Sequence, residues 1–482
     1  MSKKTEFVKS IALTVLVIMS VVLFANSWVI EWSHSDSENE NPLRRFLVWA
    51  GVESWFGFKG ETLPGTDIVA PAAVYFTSGT KRIVVNKGTD MYSDTYEDIL
   101  SVLLYVNDYV EQAEEIDADE WFYTQKNSSI YLDYGVALKR EVLETGIGCK
   151  LPRSMKTVDS VVLTSNDSAT NKLVAYFHDP ESSKFYKVMT DKSAKGITSV
   201  LSGLKGYKNI PLAVELGFNA TPEEGYGQQL IIYGNNIIQL EGVSETVPEF
   251  EKIENAHELL DNSRFSNLLS LFGISESSAK QYADVDGSAM FIDVDATLRF
   301  YNDENGAVLE YTSASGQKGY ELTKNDSAND ILYNVVYGAY TQVYSVKDIF
   351  GLDGMSIRIS SDVTDTAFNE GNVDVYVDYC YNGIPIVFAS DGVAVHGAHL
   401  QFNSEGRLIF FKQHLFNLKS SQSKQDYLPV MNAIDKSYAL LEENEKTVYI
   451  SDIYKSFVFK DGEVVPAWSI RLNNENKVYV VE

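Results

Sequence analysis

Apolar and polar residues divide the chain into a short apolar run near its amino terminus and a long body of mixed periodicity. Residues 11–30 are apolar apart from four positions: Thr14, Ser20, Asn26 and Ser27. A helix of these 20 residues would be about 30 Å long, which matches the hydrocarbon core of a bilayer. The pattern therefore predicts one transmembrane helix over residues 11–30.

Charged residues on either side of this run predict its orientation. Lysines precede it and acidic residues follow it: Lys3, Lys4 and Lys9 before, and Glu31, Asp36, Glu38 and Glu40 after. Under the positive-inside rule, residues 1–10 form a cytoplasmic tail and the body lies outside the cell membrane, on a single span. Residues 31–65 form a stalk and an aromatic connector.

A cleaved secretory signal is the alternative, since Ala25-Asn26-Ser27 suits a cleavage site. The apolar run continues past this point to Ile30, and Trp28 and Trp32 stand where aromatic side chains anchor a span at the membrane interface. These residues favour an uncleaved anchor. If the segment is cleaved, the protein is a secreted binding module whose mature chain begins near Trp28.

Helical and alternating periodicities follow one another in the body. Helical spacing predicts helices over four ranges: Thr95–Glu115, Glu254–Phe272, Asp330–Val346 and Leu428–Glu443. Strand-like runs between them are joined by hairpin turns: Asn302–Gly306, Asn382-Gly383, Asn403–Gly406 and Lys460–Gly462. Hairpins that alternate with helices favour an α+β fold, with antiparallel sheets and packed helices, over a doubly wound α/β fold.

The order of these elements and the chain length predict several domains. A chain of 482 residues exceeds what one hydrophobic core usually supports. The predicted division is an N-terminal α+β ectodomain over 66–250, a central α+β domain over 251–350 and a C-terminal α+β domain over 351–482. A similar order of strands, turns and helix in 255–350 and 351–482 suggests that these two are related units.

Charge and cysteine content narrow the function classes. The 40 Lys and Arg residues against 67 Asp and Glu give a formal charge of −27, so nucleic acid is a poor partner. Cys149 and Cys380 are the two cysteines; they exclude a disulfide framework, while one long-range pairing between them stays open.

Motifs for catalysis, cofactors and metals are weak. His396 and His399 are spaced three apart in a strand-like context, which does not suit a helical zinc site. The cluster Asp284-Val-Asp286-Gly287, with Asp293 and Asp295, does not match an EF-hand loop. No Gly-x-Ser-x-Gly sequence occurs. We therefore predict no catalytic, cofactor or metal residues and a protein that acts by binding other proteins.

Two short stretches resemble one family. They are residues 9–17, KSIALTVLV, with Trp28 closing the span, and residues 464–470, VVPAWSI, which include Pro466 and Trp468. Both resemble the two ends of the YycH family, whose members, with the partner family YycI, regulate the sensor histidine kinase YycG, also called WalK, of cell-wall metabolism in Gram-positive bacteria. The resemblance implies a non-catalytic, membrane-anchored regulator with a YycI-like partner. Pro466 and Trp468 are expected to be structural, as a strand edge and a core residue.

In such a regulator, the predicted span would pack beside the spans of the kinase. Helices associate in lipid through small and polar residues, and Ser10, Thr14 and Ala25 fall on one face of the predicted helix. We expect this face to make the contact. The alternative function is an extracytoplasmic cell-envelope enzyme, which predicts a cleft with convergent carboxylates or a histidine.

Overall fold

A computed structural model describes residues 65–79, 81–165, 171–206, 244–283, 288–314, 319–322, 330–362, 372–390, 392–438, 450–460, 462–472 and 478–482. They belong to a compact unit, Leu63–Glu482. The predicted tail, span and stalk, up to residue 64, lie outside the described residues. Within the described part, no helix is long and apolar enough to cross a bilayer.

The first half of the unit is a seven-stranded antiparallel sheet covered by helices. Its strands are β1 Ala73–Ser78, β2 Lys81–Asn86, β3 Glu114–Ile116, β4 Ser129–Lys139, β5 Thr157–Ser165, β6 Lys172–Asp179 and β7 Lys184–Ser193, in the order β2-β1-β4-β5-β6-β7-β3. The helices here are α1 Gly65–Ile68, α2 Asp90–Leu104, α3 Ala118–Thr124, α4 Arg140–Ile147 and α5 Lys195–Gly203, with a 3₁₀ turn at Val110–Gln112. Both sheet faces are buried along β5, because Val161 packs in the main core and Val162 packs beside Trp121 of α3.

The second half is a fourteen-stranded sheet. Its strands are β9 Glu249–Lys252, β10 Lys280–Ala283, β11 Ala289–Ile292, β12 Ala296–Asp303, β13 Gly306–Ser313, β14 Ser356–Ile359, β15 Val373–Tyr381, β16 Ile384–Ser390, β17 Val393–Val395, β18 Ala398–Phe402, β19 Leu408–Lys419, β21 Ile450–Lys460, β22 Glu463–Leu472 and β23 Val478–Val481. Two further short strands, β8 Ser244–Thr246 and β20 Lys424–Asp426, pair with each other. The helices are α6 Asn262–Leu271, α7 Ile331–Phe350 and α8 Val430–Tyr438, with a 3₁₀ turn at Ala256–Leu259.

Five strands at the end of the large sheet close into a ring. β16 pairs with β17, then β23, β22 and β21 follow, and β21 pairs back onto β16 in parallel, with Ile386 opposite Phe457. One cluster within the ring consists of small side chains: Val387, Val458, Ala467 and Val480. Closure removes open strand edges on the paired stretches.

Helix α7 is the central packing element. The Asp330 side chain accepts a hydrogen bond from the Tyr333 amide at its start, and Gly351, at φ +64°, ends it in the left-handed conformation. Its residues contact strands of the large sheet as well as α1, α4 and α6. The helix predicted from Asp330 to Val346 is confirmed and runs one turn further, to Phe350.

Three other predicted helices differ in extent. The pattern over Thr95–Glu115 forms α2, which starts earlier and stops at Leu104; the rest of that range contains the 3₁₀ turn and the start of β3, which pairs with β7. The pattern over Glu254–Phe272 breaks into a 3₁₀ turn and α6, since the Asp261 side chain caps a new helix by accepting from the Arg264 amide. The helix predicted from Leu428 begins after Pro429 and is described only as far as Tyr438.

The predicted α+β class with antiparallel sheets and packed helices is confirmed in the described part of the chain. The turns at Asn302–Gly306, Asn382-Gly383 and Asn403–Gly406 each join paired strands, as predicted. Strands from both sides of residue 350 share one sheet, since Val308 of β13 pairs with His414 of β19. The division into three domains stays a prediction.

Candidate functional site

A cleft of about 680 Å³ lies between the two sheets. One wall is β2, and the other is formed by the β15–β16 turn and by Asp452–Lys455 of β21. Strand β8 and the end of the segment after α5 complete the lining. Its volume is in the range of clefts that bind small molecules or short peptide segments.

The lining mixes charge and aromatic surface. Its charged side chains carry both signs: Arg82, Lys205, Arg358 and Lys455, against Asp133, Glu245 and Asp452. Lys455 Nζ donates to Glu245 Oε1 at 2.9 Å. The Arg358 guanidinium lies 4.9 Å from the ring centroid of Tyr454, a cation–π contact. The cleft is therefore suited to polar recognition and has no single sign of charge.

A buried ionic cluster lies behind this wall. The Asp378 side chain is fully buried and accepts hydrogen bonds from Ser360 Oγ at 2.6 Å and from His396 Nδ1 at 2.8 Å. Arg358 Nη2 lies 3.6 Å from its Oδ2 atom. Burial alone raises the pKa of the Asp378 carboxyl, but His396, Arg358 and Ser360 together outweigh it and lower the pKa.

The geometry of this cluster does not suit nucleophilic catalysis. A serine nucleophile needs a base in contact with its hydroxyl, whereas here the carboxylate lies between Ser360 and His396. Asp378 binds both and also neutralises Arg358. The arrangement instead fixes β14, β15 and the segment before β18 to one another.

Two further polar contacts link the sheets beside the cleft. Asp362 Oδ1 accepts from the Ala137 amide of β4 at 2.8 Å and lies 3.7 Å from Arg471 Nη1 of β22.

Burial raises the pKa of Asp452 to about 6, against the opposing charges of Arg471 and Arg358. Burial lowers the pKa of Lys87 to about 8, and its ammonium lies 5.3 Å from the Tyr340 ring of α7. The junction therefore holds several partly or fully desolvated charges.

The two sheets also meet through backbone. Asn382 and Gly383, at φ +50° and +75°, form the β15–β16 turn. A Cβ atom on Gly383 would lie 2.3 Å from the Lys87 carbonyl oxygen and 2.4 Å from Asn86 Cβ. Only a residue without a side chain fits this approach. The Asn-Gly sequence therefore serves both the tight turn and the contact between the sheets.

The residues predicted from the family resemblance lie at different places. Trp468 is 4% exposed, lines the edge of the cleft and donates from its indole to the Leu428 carbonyl at 2.7 Å. Pro466 is buried in β22 beyond the end of its pairing with β23. Ser10, Thr14 and Ala25 lie outside the described residues, and the role of all five residues stays a prediction.

The weak metal candidates are engaged in other contacts. His399 Nε2 donates to Asp374 Oδ1 at 2.6 Å, as His396 does to Asp378. Asp293 accepts from the Ser275 amide and the Ser278 hydroxyl, while residues 284–287 lie outside the described residues. In the ranges that the structure describes, no group of three or more His, Cys, Asp or Glu side chains is arranged to hold a metal.

Both cysteines are free and buried. Cys149 belongs to the core of the seven-stranded sheet, and Cys380 lies in β15. Burial raises the pKa of Cys380 to about 12, so its thiol stays protonated and unreactive near neutral pH. The pairing left open from the sequence is not present.

Sequence reasoning missed the ionic cluster. Asp374, Tyr376 and Asp378 alternate with apolar residues in β15, so their common face could have been read from the period of two. The partner His396 is brought to Asp378 by the fold, and Arg358 comes from a neighbouring strand. Those two contacts have no local signal.

Comparison with known proteins identifies the fold. No family model and no curated protein matches this chain. The crystal structure of YycH from Bacillus subtilis superimposes with a TM-score of 0.52 at 10% sequence identity, covering 88% of this chain and 98% of that one. The chain therefore has a YycH-like fold, in agreement with the family that its two ends resemble.

Proposed function

We propose that this protein is a non-catalytic, membrane-anchored regulator of a sensor histidine kinase of the YycG/WalK type. The observation that carries the proposal is the likeness to the YycH structure across 98% of that chain. The two terminal stretches that resemble the same family support it from the sequence. Neither observation depends on the other, since one is fold geometry and the other is local sequence.

The proposed mechanism acts through two contacts. The predicted span over 11–30 packs beside the spans of the kinase, with Thr14, Ala25 and the immediately preceding Ser10 at the contact. The body binds a YycI-like membrane protein outside the cell membrane. Together they set the tilt or register of the kinase helices, and a small shift of a packed helix is enough to change the output of a two-state receptor.

Replacing the predicted span by an unrelated apolar helix tests the first contact. Kinase-dependent transcription is measured in cells that carry the exchanged chain, with the amount of chain in the membrane held equal. We expect the effect on transcription to be lost. Transcription equal to that with the native chain would refute an intramembrane contact.

A finer version of this test uses one substitution at two positions. Ala25→Leu adds bulk on the proposed face. Ala12→Leu makes the same change about 170° from the centre of that face on an ideal helix. We expect Ala25→Leu to weaken the effect on transcription and Ala12→Leu to leave it intact. Equal effects of the two would show that the contact does not use this face.

A further inference from the structure

The large sheet has one open face with an ordered pattern of side chains. Strand register places two neighbouring rows across seven strands, from β10 to β15. The first row is Tyr282, Met290, Arg299, Glu310, Lys412, His399 and Tyr376, and the second is Lys280, Ile292, Thr297, Thr312, Phe410, Gln401 and Asp374. We call these two rows the open face.

The opposite face of the same strands is the core. Between the two rows runs a third set that points the other way and packs beneath α6 and its end. Phe272 stacks on Tyr311 at 5.2 Å between ring centroids and meets Phe411 edge-on at 5.1 Å. Every residue of the open face is exposed or half-buried. Among the residues that the structure describes, the sheet thus has one side that packs in the core and one side that is accessible to a partner.

The charge of the open face contrasts with the rest of the chain. It carries three cations, Lys280, Arg299 and Lys412, and two carboxylates, Glu310 and Asp374, on a chain of net charge −27. Both carboxylates have partners: Tyr301, two positions after Arg299 in β12, donates to Glu310 at 3.0 Å, and His399 donates to Asp374.

The cations of the open face are placed differently: Arg299 lies over the Tyr301 ring, 4.8 Å from its centroid, and no carboxylate pairs with any of the three among the described residues. In the described portion of the chain, no carboxylate oxygen lies within 4.0 Å of Lys280, Arg299 or Lys412. On a strongly acidic protein, cations without carboxylate partners in the middle of an ordered face indicate charge complementarity to something else.

From this pattern we infer that the open face docks an acidic protein partner, with carboxylates of the partner opposite Arg299 and Lys412. Tyrosine and arginine, which the open face presents together, are among the residues that contribute most at protein interfaces. A second copy of this chain is a poor occupant, because it would bring two chains of −27 together and present the same surplus of cations.

The inference deepens the proposed function and rests on it, since it assigns the surface that meets the YycI-like membrane partner. Seven strands span about 29 Å at the usual strand spacing, which is wide enough for one face of a folded domain. Two rows alone give a small interface, so anchoring both proteins in one membrane would raise their effective concentration and strengthen the contact.

Charge reversal on the open face is the test. The full-length chain carrying Arg299→Glu and Lys412→Glu is compared with one carrying Lys126→Glu and Lys195→Glu, which change the charge equally at exposed positions of the first half. The probe is the purified YycI-like protein, and binding is measured in detergent micelles at two salt concentrations. We expect the first variant to bind about tenfold more weakly or worse, and the second to bind as the native chain does.

Two further measurements do not depend on the folding of the charge-reversed variants: the salt dependence of native binding and photocrosslinking from single positions. Native binding should weaken as salt rises, because the contact is electrostatic. A photocrosslinker at Thr312, in the second row, should link to the partner near Asp or Glu residues, while one at Lys126 should not. Unchanged binding by the charge-reversed chain, or crosslinks from Lys126 alone, would overturn the assignment of this face.

The outcomes separate this inference from the proposed function. If the native chain binds the partner and the open face does not matter, only the assignment of the surface is wrong. If the native chain does not bind the partner, the proposed function fails and this inference fails with it. If the open face binds isolated cell-wall glycan and the YycI-like protein does not compete with that glycan, the inferred occupant of the face is wrong.

Discussion

His396 Nδ1 donates to Asp378 Oδ1 at 2.8 Å, and this contact lies at the centre of the ionic cluster behind the cleft. Because the Asp378 side chain is fully buried, its charge is stabilised only by the groups that touch it. Arg358 in turn lies against the same carboxylate. Removing the Asp378 charge leaves Arg358 without its nearest counter-charge in a desolvated site, although the Tyr454 ring and the Asp452 carboxyl remain close to it.

Asp378→Asn should therefore destabilise the protein strongly. We expect the free energy of unfolding to fall by about 3 kcal/mol, because Arg358 loses the buried carboxylate with which it pairs. Denaturant unfolding of the full-length chain in detergent measures it. The matched control is Asp374→Asn, four positions before it in the sequence, where the carboxylate also pairs with a histidine but is 40% exposed.

For that control we expect a loss below about 1 kcal/mol, as for other exposed ion pairs. A similar loss in both variants would show that burial of Asp378 does not set the strength of the cluster.

Gly383→Ala tests the contact between the sheets. The new Cβ would meet Asn86 and the Lys87 carbonyl, and the residue would also be strained at φ +75°. Gly462, at φ +88° in the β21–β22 turn, has nothing within 4 Å of its Cβ position, so Gly462→Ala carries the strain alone, about 1–2 kcal/mol. We expect Gly383→Ala to cost about 2 kcal/mol more than this control, measured by thermal unfolding. Equal shifts in melting temperature would contradict the close approach.

Because His414 is buried, we expect the stability of the protein to depend on pH. Burial lowers the pKa of His414 to about 4 from 6.5, although Asp303 lies 3.7 Å from its Nδ1 atom. The unfolded chain therefore binds a proton on this residue at higher pH than the folded chain does. The stability that this neutral histidine contributes is complete above pH 6.5 and is lost as pH falls toward 4.

The difference amounts to about 3 kcal/mol across that window. We expect His414→Gln to have a shallower fall in unfolding free energy between pH 6.5 and 4 than the native chain, whatever its stability at neutral pH. Parallel pH curves for the two proteins would rule out this residue as a source of acid sensitivity.

Trp468→Phe tests whether this family-motif residue is structural. The change removes the indole donor that the part-buried Leu428 carbonyl accepts, so we expect a loss of about 1 kcal/mol. Trp121→Phe is the control, because the Trp121 indole is buried with no hydrogen-bond acceptor among the described residues. Partner binding should be the same in both variants; a selective loss of binding in Trp468→Phe would instead make this residue part of an interface.

Local signals predicted the parts of the fold that depend on neighbours in sequence. The Asn382-Gly383 turn was predictable because both residues adopt positive φ, which this dipeptide favours. Helix α7 was predictable from its apolar spacing and from Asp330 as a cap. Pairings between distant strands were not predicted, such as Ile386 with Phe457, which closes the ring. Nothing in either strand alone specifies its partner.

The candidate sites also combine features that the sequence shows with features that depend on pairing between distant strands. The charges of the open face lie on strands whose alternation is visible in the sequence, yet their alignment into rows depends on the register of seven strands. Glu310, for example, comes between Arg299 and Lys412, over 100 residues apart in sequence, only because β13 pairs with both β12 and β19. The partner surface is thus a property of the folded sheet.

Kinase autophosphorylation in reconstituted membranes tests the central claim most directly. The sensor kinase and the YycI-like protein are incorporated into vesicles with and without the full-length chain, and the initial rate of phosphorylation is measured. The account predicts that the native chain changes this rate and that a chain with an exchanged span does not. The same rate with the native chain, the exchanged chain and no chain would contradict it.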